Sequence, residues 1–232
     1  MRAEPSERSE MVSQLLFGEH YAVIEQTEKW FFIRSEIDDY QGWISSNMVS
    51  DLPDDFLIAS TPKVINKPYL GCLISGKPVI LPGGSLIRQL HYDSLSNLAD
   101  ENNCNTNDNL FSLAQQYIGA PYLWGGKTIF GIDCSGLVQI VCRMVGHYLP
   151  RDAWQQAQKG HEISFEAANT DDLVFFSNDN GKITHTGILC DRNSIIHASG
   201  CVRIDRFDEK GIFNETEKKY THKLHSIKRL QN

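Results

Sequence analysis

The pattern of hydrophobic and polar positions changes character along the chain. In the first fifty residues, short runs rich in aromatic and β-branched residues alternate with polar turns, at residues 12–17, 21–25, 30–34 and 42–46. Runs of this composition are typical of strands, and their close spacing predicts a small β-barrel. Residues 77–87 again indicate a strand, a turn and a strand. The pattern therefore predicts one β domain over residues 1–50 and a second over residues 51–105.

A different pattern follows an Asn- and Asp-rich run at residues 100–108, which we interpret as a linker. Helices are predicted over residues 110–118 and 135–148, and the second has one apolar stripe, formed by Leu137, Val138, Val141, Met144 and Val145. Strands are predicted at residues 172–176, 183–190, 194–198 and 201–207. Helices followed by an antiparallel meander indicate an α+β domain over residues 106–232.

Charge and apolar content exclude several classes of partner. The formal net charge of −7 argues against nucleic acid, because that affinity depends on clustered lysines and arginines. No stretch is long and apolar enough to span a membrane. The apolar and charged fractions, 41% and 22%, are ordinary for a globular protein, and we expect a monomer. The opening residues 1–5 lack an apolar signal core, which predicts a cytoplasmic location, or a periplasmic or secreted one if a signal was removed.

The cysteines and the C-terminal basic residues indicate no special site by their spacing. The six cysteines have neither the close pairs of a zinc site nor the pattern of a disulfide framework, so we expect no metal and no cofactor. We interpret the basic residues near the C-terminus as a solvated surface: Lys218, Lys219, Lys223, Lys228 and Arg229.

Cys134 stands at the start of the second predicted helix, on its inward stripe. Asp133 can cap this helix, and the N-terminal N–H groups and helix dipole favour a thiolate over a thiol. Paired glycines beside aromatic residues at 122–126 are typical of a loop that approaches a ligand closely. We therefore predict that Cys134 is a nucleophile. The alternative is that it is only a small buried residue, as we expect of Cys142 and Cys190.

His185 is the candidate base. Strand alternation places it on one face with Gly187 and Leu189, and a hairpin closed at residues 191–193 makes His197 its direct cross-strand neighbour. A second polar group can hold the imidazole in the tautomer that accepts the thiol proton. Two alternatives stay open, a metal-binding pair without a carboxylate at ligand spacing, and a chance pairing. We expect the other six histidines at the surface.

At these residues the chain closely resembles the NlpC family of cell-wall cysteine peptidases, whose fold is papain-like. Its motifs occur in the family's order: Pro121-Tyr122-Leu123-Trp124-Gly125-Gly126, Asp133-Cys134-Ser135-Gly136-Leu137, His185-Thr186-Gly187-Ile188 and Ile196-His197-Ala198. The resemblance covers residues 107–206. It implies that Cys134, His185 and His197 are catalytic, with the Tyr122 hydroxyl and the Cys134 N–H near the developing oxyanion.

The N-terminal half resembles the bacterial SH3-like domains that precede this catalytic domain in some members, especially at residues 40–44. Members with two such domains resemble γ-D-glutamyl-L-diamino-acid endopeptidases, whose groove admits only peptides with a free N-terminal L-Ala. The resemblance implies a substrate pocket lined by Asp133, Ser135, Trp124, Arg151 and Asp152, with Glu10 and Tyr40 reaching over from the first SH3-like domain.

A carboxylate near the substrate amine offsets the cost of removing the ammonium from water, and the resemblance assigns that position to Asp152. Glu10 is a second candidate, with a solvated surface carboxylate as the alternative interpretation. Ala153 departs from the family, because relatives often carry Ser there. One hydrogen bond to the amine is therefore missing or supplied by water.

The leading hypothesis is a cysteine peptidase with a papain-like catalytic domain behind two SH3-like barrels. It hydrolyses the bond from γ-D-glutamate to lysine or diaminopimelate in murein tri- or tetrapeptides, through an acyl-enzyme. The alternatives are a peptidoglycan amidase, a catalytically inert peptidoglycan-binding protein, and an acyl transferase.

Overall fold

The computed structural model describes residues 1–48, 61–74, 77–87 and 108–231. The chain divides into two compact units, residues 1–106 and 107–232. Almost all of the expected linker at residues 100–108 lies outside the described residues, and so does Cys104. The finer division of the first unit at residue 50 stays a prediction.

The first unit begins with an antiparallel sheet of β1 (Tyr21–Gln26), β2 (Trp30–Ser35) and β3 (Gln41–Ser45), followed by a 3-10 turn at Ser46–Met48. The Phe32 and Trp43 rings lie 5.2 Å apart between adjacent strands. The strand expected at residues 12–17 is absent. One reason is that the Leu16 N–H donates to the Glu19 carboxylate rather than to a neighbouring strand.

Among the described residues of this unit, four further strands follow: β4 (Lys63–Val64), β5 (Tyr69–Ile74), β6 (Lys77–Pro82) and β7 (Leu86–Ile87). β5 pairs with β6 and β4 with β7, and Ile65, Leu70, Cys72 and Leu81 form a small core. The predicted strand, turn and strand at residues 77–87 correspond to β6 and β7. That this part is a second SH3-like barrel stays a prediction.

The second unit contains three helices, α1 (Leu110–Gln115), α2 (Cys134–Met144) and α3 (Ala153–Gln156), and a short β8–β9 pair, Lys127–Thr128 and Gly131–Ile132. The two predicted helices were too long at their C-termini. α2 ends at Met144 because Gly146 adopts a φ of 92°, the left-handed conformation that terminates helices. Every residue of α2 is buried, so the helix packs on all sides and not only along one stripe. Among the residues described, no helix has the length and apolar character needed to cross a membrane.

The second unit is built around one antiparallel sheet. Its strands are β10 (His161–Ile163), β11 (Leu173–Ser177), β12 (Ile183–Asp191), β13 (Ser194–Ser199), β14 (Cys201–Asp208), β15 (Gly211–Asn214) and β16 (Lys219–Arg229). The order is β10-β16-β11-β12-β13-β14-β15, and β16 also pairs with β15, which closes six strands into a ring.

The C-terminal strand was missed by sequence reasoning. The basic residues interpreted as a solvated surface belong to β16 or border it, and this strand pairs with β10, β11 and β15. Its sequence is mostly polar, which hid the strand. Arg229 donates to both oxygens of the buried Asp172 at 2.7 Å, so this part of the run has a structural partner.

The inside of the ring is apolar at one end and polar at the other. Its core consists of Ala168, Val174, Phe176, Leu189, Ile195, Phe207, Ile212 and Ile227. Strand alternation then places His185 on the same face as Leu189, and His197 on the same face as Ile195. The hairpin is tighter than predicted, with a bulge at Cys190, and pairs His197 with Gly187 rather than with His185. The two histidines are diagonal neighbours.

Gly187 allows β12 and β13 to approach closely, and its substitution tests this packing. A Cβ there would lie 2.8 Å from the Ile196 carbonyl oxygen and 3.0 Å from the His197 Cβ. We expect Gly187→Ala to lower the free energy of unfolding by roughly 1–3 kcal/mol, measured by urea denaturation. Gly71→Ala, in a strand with open space around the added methyl, is the control and should change it by less than about 0.5 kcal/mol. Equal effects would contradict the steric argument.

Candidate active site

A buried network of hydrogen bonds fixes the N-terminus of α2. The Asp133 carboxylate caps the helix by accepting from the Gly136 N–H at 2.7 Å, and it accepts from the Gly125 N–H at 2.8 Å. Arg151 donates to both carboxylate oxygens, at 3.0 and 2.6 Å, and to Ser135 Oγ at 2.8 Å. Because Asp133 and Arg151 are both buried, the carboxylate holds the loop, the helix and the turn at 151 together.

Cys134 is the first residue of α2 and only 7% of it is exposed. Burial, reinforced by the Asp133 charge, raises the pKa of its thiol to about 12, although N–H groups of Thr186 and Ser135 near the sulfur lower it. The expectation that the N–H groups and dipole at the helix N-terminus favour a thiolate is therefore wrong for the resting site. Desolvation outweighs the N–H groups near the sulfur, and the thiol keeps its proton until a base removes it.

The strand that carries one expected imidazole passes beside this sulfur. Thr186, whose N–H lies beside the Cys134 thiol, directly follows His185 in β12. His185 Nε2 lies 2.8 Å from His197 Nδ1, with the rings perpendicular. Burial lowers the pKa of His185 well below its ordinary 6.5, and the neighbouring histidines and Arg203 lower it further. The His185 imidazole is therefore neutral, and its Nε2 is engaged by His197.

A third histidine, which sequence reasoning placed at the surface, packs on the His185 ring. His222 in β16 lies with its ring centroid 4.1 Å from that of His185, at an angle of 30°. Burial, with the charges of His197 and Arg203, lowers the pKa of His222 to about 4, so it is neutral at pH 7. The missed signal was the inward alternation of His222 and Leu224, obscured by the lysines around them.

Asp205 is a second functional candidate that sequence reasoning missed. Its Oδ2 lies 3.1 Å from His197 Nε2 and 2.9 Å from Arg203 Nε. Alternation along β14 places Arg203, Asp205 and Phe207 on the face that carries the histidines. The sequence shows this alternation, but only the pairing of β14 with β13 shows that Asp205 lies beside His197.

The Tyr122 hydroxyl is placed near the same sulfur. Burial raises the pKa of Tyr122 to about 12, and the charges of Cys134 and Asp133 act in the same direction, against that of Arg151. The phenol therefore stays protonated at neutral pH and can donate a hydrogen bond. A donor beside a nucleophilic sulfur is suited to an oxyanion that forms there.

The other expected pocket residues lie in several places. Trp124 is 59% exposed on the loop before α2, and Asp152 is half-buried at the N-cap of α3. Glu10, which is exposed, and Tyr40, which is half-buried, belong to the first unit, and their contribution to the site stays a prediction. Asp133, Ser135 and Arg151 bind mainly to each other.

The arrangement combines a buried thiol with neutral imidazoles, groups whose chemistry allows a proton to pass from sulfur to nitrogen. Two imidazoles and a carboxylate follow one another across β12, β13 and β14, and the Cys134 sulfur lies beside the β12 backbone at Thr186. Within the described parts of the chain, no group of three or more His, Cys, Asp or Glu side chains has the geometry of a metal site.

The family assignment agrees with this geometry. The model of the NlpC/P60 family matches residues 119–222, which contain the cysteine and the three histidines. The second unit belongs to the NlpC/P60 family. A second model, the bacterial dipeptidyl-peptidase SH3 domain, matches residues 1–48, so the NlpC/P60 domain is preceded by an SH3 domain.

Relatives of known name resemble this chain over different lengths. The γ-D-glutamyl-L-lysine dipeptidyl-peptidase of Bacillus subtilis is 34% identical over 95 residues, which cover 40% of this chain and 32% of that protein. Dipeptidyl-peptidase 6 of Lysinibacillus sphaericus is 26% identical, over 90% of this chain and 88% of that protein. The chain thus spans about a third of the length of the first of these relatives.

Solved structures show the same fold. The crystal structure of an NlpC/P60 family protein from Bacillus cereus superposes with a TM-score of 0.73, covering 94% of this chain and 81% of that one. The identity is 20%, so this similarity concerns the fold alone.

Loss of the Arg151 guanidinium should destabilise the NlpC/P60 domain. Arg151→Met leaves the buried Asp133 carboxylate without its cation, and we expect the free energy of unfolding to fall by about 3 kcal/mol in urea. Lys219→Met removes an ion pair whose partners are both at least half exposed, and the loss should stay below roughly 0.5 kcal/mol. Equal losses would contradict a special role for the buried pair.

The protonation of the resting pair gives a spectroscopic prediction. Burial raises the pKa of the Cys134 thiol to about 12. The difference in ultraviolet thiolate absorbance between the protein and its Cys134→Ala variant should therefore be zero at pH 7 and appear only in strong alkali. Because the pKa of His185 is lowered, its free base persists at acid pH, and activity should fall only at a pH well below 6.5. Thiolate absorbance at pH 7 would indicate an ion pair instead.

Proposed function

We propose that the protein is a cysteine peptidase that hydrolyses the bond between γ-D-glutamate and the L-diamino acid of murein peptides, and releases L-Ala-γ-D-Glu. One observation carries this proposal. A buried thiol at a helix N-terminus lies beside the strand residue that follows His185, and His185 is hydrogen-bonded to His197. The catalytic roles of Cys134, His185, His197 and Tyr122 are part of the proposal.

Acylation starts from the neutral pair. His185 Nδ1 takes the proton of the Cys134 thiol as the sulfur attacks the γ-carbonyl carbon of D-glutamate. The carbonyl π electrons move to oxygen, and the Tyr122 hydroxyl and the Cys134 N–H donate to the resulting oxyanion. The tetrahedral intermediate then expels the diamino-acid amine, which receives the proton from His185, and a thioester remains.

Deacylation uses the same groups in the reverse order. Water attacks the thioester carbonyl while His185 accepts one of its protons, and the second tetrahedral intermediate expels the sulfur. The Cys134 thiolate recovers its proton from His185. The dipeptide leaves as a carboxylate, and both residues return to their neutral resting forms.

Selection of the peptide end is assigned to the carboxylate at the N-cap of α3. Asp152 is half-buried, and a buried carboxylate offsets the cost of desolvating a substrate ammonium. Trp124 supplies an exposed aromatic face on the neighbouring loop. Two relatives support the substrate class, since one is named a γ-D-glutamyl-L-lysine dipeptidyl-peptidase and another dipeptidyl-peptidase 6.

The proposal includes a papain-like arrangement of the catalytic domain, in which a helix with the nucleophile packs against a closed antiparallel sheet that carries the base. α2 contacts β12 and β13 in this manner. A monomer that acts on murein peptides in the cytoplasm is the corresponding expectation for state and location.

Digestion of defined peptides tests the reaction and its specificity. We expect the protein to release L-Ala-γ-D-Glu from L-Ala-γ-D-Glu-L-Lys or its diaminopimelate counterpart, identified by mass spectrometry. Cys134→Ala should lower the rate by at least about 10⁴-fold, because no other group can form the acyl-enzyme. N-acetylation of the substrate should lower kcat/KM by roughly 100-fold or more, since it removes the ammonium.

Cys201→Ala is the matched control, since this partly exposed cysteine follows β13 and lies outside the proposed machinery, and its activity should be unchanged. Full activity of Cys134→Ala would refute the nucleophile. Release of an intact peptide from a sugar-linked substrate would identify an amidase. Equal cleavage of free and acetylated peptides would refute the amine pocket and leave the peptidase standing.

A further inference from the structure

A partly buried carboxylate continues the line of proposed catalytic side chains beyond His197. Asp205 Oδ2 accepts from His197 Nε2 at 3.1 Å and from Arg203 Nε at 2.9 Å. The Asp205 side chain is 17% exposed and that of His197 is fully buried. The carboxylate lies on the opposite side of His197 from His185, so it acts on the chemistry only through the two imidazoles.

The proton positions follow from what each group can do. An ionised carboxylate only accepts hydrogen bonds, so His197 must carry its proton on Nε2 and present a lone pair at Nδ1. That lone pair faces His185 Nε2 at 2.8 Å, so His185 carries its proton on Nε2. His185 Nδ1 is then a lone pair, the form that can take a proton from the thiol.

We infer that Asp205 is a positioning residue that sets the tautomers of both catalytic imidazoles and thereby leaves His185 Nδ1 able to act as a base. The inference rests on the proposed function for its kinetic consequence, but the tautomers are a property of the protein without substrate. Without an acceptor at this place, the His185–His197 hydrogen bond could form in the opposite sense. The thiol would then face an N–H.

The same carboxylate stabilises the charge that the reaction creates. When His185 becomes an imidazolium, its Nε2–H strengthens the bond to His197, whose Nε2–H in turn points at a negative charge. Burial alone would raise the pKa of Asp205, but the hydrogen bond and charge of His197 and those of Arg203 outweigh it and lower this pKa. Asp205 is therefore ionised when the base is in use.

Arg203 makes two substitutions of Asp205 differ in a predictable way. Arg203 Nε and His197 Nε2 both donate to the same oxygen, so in Asp205→Asn they orient the amide oxygen toward themselves. The acceptor is kept and only the charge is lost. Asp205→Leu keeps a similar volume but removes both the acceptor and the charge.

Kinetics and nitrogen NMR together test the inference. We expect kcat to fall about 10-fold in Asp205→Asn and about 100-fold or more in Asp205→Leu, with KM within about twofold, because Asp205 does not touch the peptide. In ¹⁵N-histidine spectra, the Asn variant should keep Nε2–H on both rings, and the Leu variant should lose this single tautomer. Alkylation of Cys134 by iodoacetamide should slow in the same order.

Asp208→Asn is the matched control, a carboxylate on the same strand that accepts from the Tyr220 hydroxyl at 2.6 Å, and all readouts should stay unchanged. Unchanged kcat in the Asn variant would overturn the electrostatic part of the inference. Slower catalysis in the Leu variant with the original tautomers would assign Asp205 a merely structural role and overturn the rest. The NMR and alkylation results need no peptide, so they decide the inference even if the proposed substrate is wrong.

Discussion

The second unit depends on the buried Asp133 carboxylate, which must receive enough hydrogen bonds. Asp133 lies where water cannot solvate it, so its charge must be matched by the Arg151 guanidinium, by two backbone N–H groups and by the Ser135 hydroxyl. These donors come from three separate segments of the chain. Satisfying the carboxylate therefore fixes the loop before α2, the start of α2 and the turn that leads to α3. The position of the Cys134 sulfur is a consequence of this requirement.

The closed sheet on the other side of the site buries several imidazoles. Each must be neutral or have its charge matched, because a buried imidazolium is costly. The closed sheet meets this condition by placing His185, His197 and His222 at the polar end of its interior, above the apolar core. Desolvation lowers the pKa of the base and raises that of the thiol, so neither is charged at rest. In the proposed reaction, charge appears only after the fixed donors and acceptors are already in place.

Much of this site was predictable because it is local in sequence. A cysteine one residue after an Asp and at the head of an apolar helix specifies a capped, buried start for α2. A hairpin of two short strands brings His185 and His197 together, and even the wrong register left them in contact, since diagonal neighbours on one face remain within reach. The bulge at Cys190, which shifts the register, has no sequence signal that hydrophobic alternation would detect.

What sequence reasoning missed is either distant in sequence or polar. His222 reaches His185 only because β16 pairs with β11, across more than forty intervening residues, and its strand is rich in lysine. Asp205 needed the pairing of β14 with β13. The prediction of a thiolate was wrong because it rested on the position of Cys134 at a helix N-terminus, which the sequence shows. The degree of burial, which raises the pKa of the thiol, cannot be read from the sequence. The strand predicted at residues 12–17 is absent for a related reason, because a side chain accepts a backbone hydrogen bond there.

The residues proposed to contact the substrate differ from those that hold the site together, and the reason is physical. A carboxylate has about four positions for hydrogen bonds, and Asp133 already accepts from five N–H or O–H groups. A substrate amine could bind there only by displacing one of the donors that position the nucleophile. Asp152 and Trp124, next to this network and more exposed, can contact a peptide without that loss. Variation in substrate preference among such proteins is therefore expected at these outer positions, while Asp133 and Arg151 stay tied to the placement of the sulfur.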